Sequence, residues 1–294
     1  MPFHGIRADR RYLFSPEPIT NIGVNDTNTW RLNPDHRHVY NKLHIALSQG
    51  LIAAPSGVSP LAMQLSPEQA CFVKPITNLG GMSLNSFAST AQKIADASIN
   101  SAENNNENCA AGSFWCEFLE GSQTSTDILI LNGQPKWYGH TKAADEKNKN
   151  RPIYWKLGYN CQQLEPLIES FIHRELKGYT GLCNVEMIGD FIIEAHLRGS
   201  NAFFDYYPKQ FIQTWVNVVD LKQWTTITPL KQGCVYSMFG GWSLNDGSEQ
   251  LVESLGAKLY RDGMIEDRVA ILFTDTVEQA KSIEMLLKAK TSAI

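Results

Sequence analysis

Between residues 181 and 199 the chain reads GLCNVEMIGDFIIEAHLRG, with its polar residues spaced at intervals of two. Asn184, Glu186, Glu194, His196 and Arg198 share one parity, and Val185, Met187, Phe191, Ile193, Ala195 and Leu197 share the other. In a β-hairpin these sets form two faces, one polar and one apolar. Both arms keep a single parity only if the connection is an odd loop, such as Ile188-Gly189-Asp190, with the glycine left-handed. Two carboxylates, an imidazole and a guanidinium held on a rigid sheet face can bind a hard cation together with a polyanion. A solvated sheet face carrying an internal ion pair has the same pattern. The rest of the chain decides between them.

The elements that must position this hairpin can be read from periodicity and turn residues. Residues 1–37 are rich in Pro, Asn, Asp and Arg without periodicity and read as an extended N-terminal arm. HVYNKLHIALSQG, 38–50, reads as a short amphipathic helix stopped by Gly50. Residues 70–75 form a strand ending in Lys-Pro, followed by a glycine loop at 78–83, and 87–102 read as a helix. Strands are expected at 114–121, 126–131 and 135–141, with Asn132-Gly133 turning the last pair. Residues 143–152 read as a charged, mobile loop. Helices are expected at 162–176, 205–220 and 277–290, and a strand at 268–274. Strands and helices mix without strict alternation, so the class is α+β.

Composition narrows the function classes. A chain of 294 residues buries a large core in two or three closely associated lobes. A net charge of −4 argues against a nucleic-acid partner. The N-terminal MPFHGIRADRRYLF lacks the apolar core of a signal peptide, and no apolar run reaches membrane-span length, so no membrane association is expected. Cys71, Cys109, Cys116, Cys161, Cys183 and Cys234 include no C-x-x-C pair and read as buried free thiols in a reducing cytoplasm. His36 and His38, in an irregular stretch, read as solvated rather than metal-binding. No G-x-S-x-G, H-E-x-x-H or Walker loop is present.

Four segments, FVKPITNLGGMS, CEFLEGSQTSTDILI with its following Asn-Gly turn, NVEM and IIEAHLRGSN, occur in an order and spacing that resembles the ATP-grasp superfamily of carboxylate–amine ligases. The resemblance runs from about Tyr40 to Asn201. It implies an α+β ATP-grasp fold: two lobes gripping ATP, preceded here by the arm (1–37). The small lobe with its Gly-rich loop would span 38–115, and the large lobe with a C-terminal strand–helix extension 116–294. By this resemblance Lys74 reaches the α- and β-phosphates, Lys42 is the lysine of the lead-in helix, and the loop at Gly80, Gly81 and Ser83 approaches the phosphates with backbone N–H groups. Glu117, Phe118 and Leu119 match the hinge that meets the adenine edge, and Met187 lines the nucleotide. Glu186 and Glu194 match the magnesium ligands, and Arg198 the arginine that stabilises charge on an acyl-phosphate and a tetrahedral intermediate.

The sequence departs from that pattern at four places. Gln123 stands where the family usually has a glutamate for the ribose hydroxyls, so it binds without charge assistance. His196 stands at the third metal ligand, usually asparagine; imidazole suits manganese or zinc better than magnesium, making manganese the alternative ion. Only about forty residues precede the lead-in helix, where relatives usually carry an α/β domain that helps to hold substrate. Residues 199–294 exceed what the family core needs. A dimer mate or partner protein would then complete the acceptor site. The function implied is an ATP-dependent ligase joining a small-molecule carboxylate to an amine (or thiol) through an acyl-phosphate, releasing ADP and phosphate. A non-catalytic nucleotide-binding subunit and an ATP-grasp kinase are the alternatives. Lys147, Lys149 and Arg151 on the charged loop would close over bound phosphates.

Overall fold

A four-stranded and an eight-stranded antiparallel sheet form the frame of the molecule. The computed structural model describes residues 2–79, 85–99, 110–261 and 267–291. Gly80, Gly81, Ser83 and Cys109 lie outside them.

The first residues are not an extended arm. β1 (Phe3–His4) pairs in parallel with β2 (Ile22–Gly23), and α1 (Asp26–Leu32) follows, capped by the Asn25 side chain, which accepts from Asn28 N. Phe3, Phe14, Ile22 and Val24 are buried in a cluster with Phe204, Phe211 and Trp215. The Ile19 and Thr20 N–H groups donate to Asp220 at 2.7 and 2.9 Å. Apolar residues so widely and unevenly spaced give no periodic signal, yet tertiary burial fixes the segment.

The smaller lobe follows α2 (Lys42–Ser48), whose first turn is capped by Asn41. Its sheet contains β3 (Ala53–Pro55), β4 (Ala70–Pro75), β5 (Phe87–Thr90) and, after α3 (Ala91–Ile99), β6 (Ser113–Glu117), in the order β3-β6-β4-β5. The helix expected from residue 87 begins only at Ala91. Phe87–Thr90 pair with Ala70–Val73 instead, because an open edge of β4 satisfies their backbone groups.

In the larger lobe, β7 (Gln123–Leu131) and β8 (Gln134–Ala143) join through Asn132-Gly133, both left-handed at φ 50 and 72°. The charged segment that follows is a small hairpin of β9 (Lys147–Asn148) and β10 (Arg151–Pro152), turned by left-handed Lys149 and Asn150, rather than an irregular loop. Lys149 pairs with Asp267, and Asn150 donates to Ser86 O at 3.2 Å, linking the hairpin to the small lobe. Then come β11 (Tyr154–Leu157), α4 (Glu165–Glu175), β12 (Gly181–Ile188), β13 (Phe191–His196) and α5 (Phe211–Leu221). The chain closes with β14 (Gly233–Phe239), α6 (Ser248–Ser254), β15 (Lys258–Arg261), β16 (Arg268–Thr274) and α7 (Val277–Thr291). The sheet order is β13-β12-β7-β8-β11-β14-β16-β15, so the C-terminal strands continue the large sheet.

Two clusters cover opposite faces of this sheet near β7 and β12. Ile128, Ile130, Cys183 and Val185 pack under α4, and Leu129 and Leu182 pack with α5 and the N-terminal segment. The second face turns polar further along the strands, at Asp127, Ser125, Asn184 and Glu186. That transition places the site. Among the described residues, no helix is long and apolar enough to cross a membrane, and Cys71, Cys116, Cys161, Cys183 and Cys234 are buried free thiols.

Candidate functional site

The hairpin β12–β13 forms as the alternation requires, but by a different device. Ile188 pairs with Phe191 across a two-residue turn in which Gly189 is left-handed at φ 55°. Parity is restored by a bulge: Glu186 faces Glu194, whereas Met187 faces Ile192, leaving Ile193 extra. The apolar face is therefore Val185, Met187, Ile192, Ala195 and Leu197, and Phe191 turns outward, correcting its expected burial. The bulge is supported from outside the sheet. The Gln49 amide accepts from Ile192 N and donates to Ile192 O, both at 2.8 Å, and Lys74 Nζ donates to Ile193 O at 3.2 Å. Without the bulge, Glu194 and His196 would lie on the opposite face from Glu186.

On the polar face, Asn184 lies opposite His196 and Glu186 opposite Glu194. The two glutamates respond oppositely to that arrangement. Burial, and then the charge of Glu194, push the Glu186 carboxyl up. Burial acts the same way on Glu194, but His196 and Lys42 overcome it and hold that carboxyl well below its usual range. Lys42 Nζ lies 2.8 Å and His196 Nε2 3.1 Å from Glu194 Oε1, as ion pairs rather than well-directed hydrogen bonds. Lys42 reaches this point because it lies on the buried face of α2, with Ile45 and Ala46.

Asp26 and Tyr40 complete the cluster, and the motif comparison did not single out either. Asp26 Oδ1 is 2.9 Å from His196 Nδ1, and Oδ2 accepts from Arg198 at 2.8 Å. Tyr40 OH donates to Asp26 at 3.1 Å and accepts from Leu197 N at 3.1 Å. The Asn-Asp start of α1 was the available sequence signal, but nothing local indicated what Asp26 would face. His196, expected as a metal ligand, has a carboxylate against each ring nitrogen. Asp26 lies against Nδ1 and Glu194 against Nε2; burial and Arg198 lower the His196 pKa, but Glu194 and Asp26 outweigh them and raise it. Deeper along the face, Asn184 Nδ2 donates to Ser125, Asp127 and Ser200, and Tyr207 donates to Asp127. This network fixes the wall behind Arg198.

The other expected residues divide between the site and the core. Lys74 ends β4 beside β13. Its pKa is lowered chiefly by burial, and among the described residues no carboxylate lies within ion-pair distance of it. Gln123 Nε2 sits 3.3 Å from Glu186. Glu117 closes the small sheet, giving its N–H to Ile52 O and accepting from Ile52 N through its carboxylate, while Phe118 N donates to Ala70 O. Phe118 is half-exposed, whereas Leu119 packs on the small-lobe core. Gly121, left-handed at φ 126°, lies against Gly189; a Cβ there would meet the Gly189 backbone at 3.0 Å, closer than ordinary contact, so glycine eases the approach of the hairpin tip to the segment after the hinge. Met187 is corrected: it is fully buried under α4 on the face away from Glu186, and belongs to the core.

Chemically, the face offers hard carboxylate oxygens from Glu186 and Glu194, which suit a divalent cation of the magnesium type. Burial first and the charge of Glu194 second push Glu186 up, and a bound cation would offset both. Lys42, Lys74 and Arg198 surround them with positive charge suited to a polyphosphate.

No family model and no curated protein matches this chain in sequence. Solved structures do match in fold. An L-amino acid ligase from Bacillus licheniformis aligns over 90% of this chain and 75% of its own, with a TM-score of 0.57 and 13% identity. N5-carboxyaminoimidazole synthetase from Staphylococcus aureus, complexed with ADP, aligns over 92% and 79%, with a TM-score of 0.60 and 10% identity. Phosphoribosylamine–glycine ligase from Thermotoga maritima aligns over 98% and 86%, with a TM-score of 0.60 and 11% identity. At these identities the likeness is one of fold.

Proposed function

Because the chain has the ATP-grasp fold, we propose that it is an ATP-dependent ligase that activates a small-molecule carboxylate and joins it to an amine. The observation that carries this reading is the paired Glu186 and Glu194 on one sheet face, with Lys42, Lys74 and Arg198 around them. In the reaction proposed, a substrate carboxylate oxygen attacks the γ-phosphorus and ADP leaves. The amine nitrogen then attacks the acyl carbon, and phosphate and a proton leave. Glu186 and Glu194 would hold a magnesium ion, whose chemistry is neutralisation of phosphate charge. Lys74, with no carboxylate within ion-pair distance among the described residues, attracts the polyphosphate. His196, 3.1 Å from Glu194 Oε1, would help to hold Glu194 in its ionised form. Arg198, two residues further on the same face, stabilises the acyl-phosphate and the tetrahedral oxyanion. The hinge 117–119 faces the adenine, with Leu119 N–H as its donor because the preceding two amides serve the sheet. The five buried thiols among the described residues suit a reducing cytoplasm.

A second reading, a non-catalytic nucleotide-binding subunit, is favoured by one observation: Asp26 already neutralises Arg198 at 2.8 Å. Calorimetry with a non-hydrolysable ATP analogue and magnesium, followed by ADP release across carboxylate–amine pairs, separates the two. Magnesium-dependent binding that is lost in Glu186→Gln, with ADP release requiring both acid and amine, supports the ligase. Binding without turnover on any pair supports the subunit, and absence of binding overturns both.

A further inference from the structure

On the far side of the turn that supplies Tyr40 and Lys42, three side chains converge that the proposed ligase reaction does not use. His38 belongs to the 3-10 turn Arg37–Tyr40, His44 to the first turn of α2, and Glu175 is the last residue of α4. His44 Nε2 is 2.8 Å and His38 Nε2 3.4 Å from Glu175 Oε2, and the three atoms all lie within 4.8 Å of one another. We propose that His38, His44 and Glu175 form a site for one divalent transition-metal ion of the zinc or cobalt type, separate from the glutamate pair.

Each part of the trio is prepared for this role. Arg174 Nε holds Glu175 Oε1 at 2.7 Å, which orients the carboxylate and leaves Oε2 directed at the imidazoles. The two rings stand edge-to-face with centroids 5.8 Å apart and remain close to half-exposed, so an ion can enter from solvent. Two imidazole nitrogens and one carboxylate oxygen favour zinc, cobalt or nickel over magnesium, and water would complete the coordination. His36, two residues earlier, does not take part: it bonds to Lys177 O at 3.0 Å and packs on Tyr179.

The site's place in the fold gives it a consequence. Between the two histidines lie Tyr40, hydrogen-bonded to Asp26, and Lys42, ion-paired with Glu194. An ion bound to His38, His44 and Glu175 pins this turn to the end of α4, on the large lobe, and so steadies two residues of the nucleotide face.

The test uses the full chain, with any affinity tag removed, stripped by chelator and titrated with cobalt(II) while visible absorption is followed, then with zinc in competition. The expected result is saturation at one ion per chain with ligand-field bands that zinc displaces. Affinity should fall by roughly tenfold or more in His38→Ala and in His44→Ala, and stay unchanged in His36→Ala and Glu186→Gln. Zinc should raise the thermal midpoint of the wild type and not that of His44→Ala. No saturable binding, or binding indifferent to His38→Ala and His44→Ala, overturns the proposal. Should Glu175→Gln fail to fold, the two exposed histidine variants still decide it.

Discussion

His196 shows how a single side chain changes its role with its neighbours. It is buried between Asp26 and Glu194, with one carboxylate against each ring nitrogen. Its folded-state pKa is raised above 6.5. The stabilisation it provides is therefore complete below that value and is lost as pH rises through the folded-state pKa. Lys74 has the opposite slope, since a pKa lowered by burial makes stability rise with pH. The difference between the urea-unfolding free energies of wild type and His196→Gln, measured from about pH 6 to about pH 9, isolates the histidine; it should shrink as pH rises. A difference independent of pH would mean that the ring is neutral. Asp26 carries the complementary test. Burial opposes its ionisation, but Arg198 and His196 hold it well below the usual carboxylate range. Asp26→Asn leaves both cations short of a partner and should cost about 3–5 kcal/mol in urea unfolding at neutral pH.

At the scale of elements, the hairpin depends on support that lies outside it. The Ile193 bulge sets which face Glu194 and His196 occupy, and its backbone is satisfied by Gln49 at the end of α2 and by Lys74 at the end of β4. The hairpin tip in turn packs on the hinge through Gly121 and Gly189. Gly121→Ala should destabilise the fold by clearly more than the ~1 kcal/mol expected for alanine at an uncrowded left-handed position. Gly256→Ala is the reference, because Gly256 is left-handed at φ 74° with nothing within 4 Å. Gly121→Ala should also weaken binding of the ATP analogue, while Gly256→Ala leaves it unchanged. Equal effects of the two on stability and affinity would show that the close approach carries no weight.

For the whole molecule, the N-terminal segment is part of the large lobe. Phe14 is 5% exposed and packs against Phe3 and Phe204, with ring centroids 5.3 and 4.8 Å away, and the same segment delivers Asp26 to the site. Phe14→Ala should lower stability by about 3–5 kcal/mol. It should also loosen analogue binding, because Asp26 is anchored through the segment that Phe14 holds down. Loss of stability with unchanged affinity, measured well below the unfolding transition, would separate the segment's packing from its role at the site.

The sequence by itself determined the α+β class, the two-faced hairpin with Glu186 and Glu194 on its polar side, the Lys74 strand end and the Asn132-Gly133 turn. All of these rest on local rules: side chains alternate along a strand, and Asn-Gly tolerates left-handed backbone. Only the tertiary structure decided that Phe87–Thr90 extend a sheet, that a bulge rather than an odd loop keeps Glu194 in phase, and that Met187 faces the core. It alone brought Asp26 to His196 and Arg198, 170 and 172 residues away in sequence. The reason is physical: a bulge, an edge pairing and a buried ion pair are chosen by which distant groups need partners once the core has closed, and no residue's immediate neighbours carry that information.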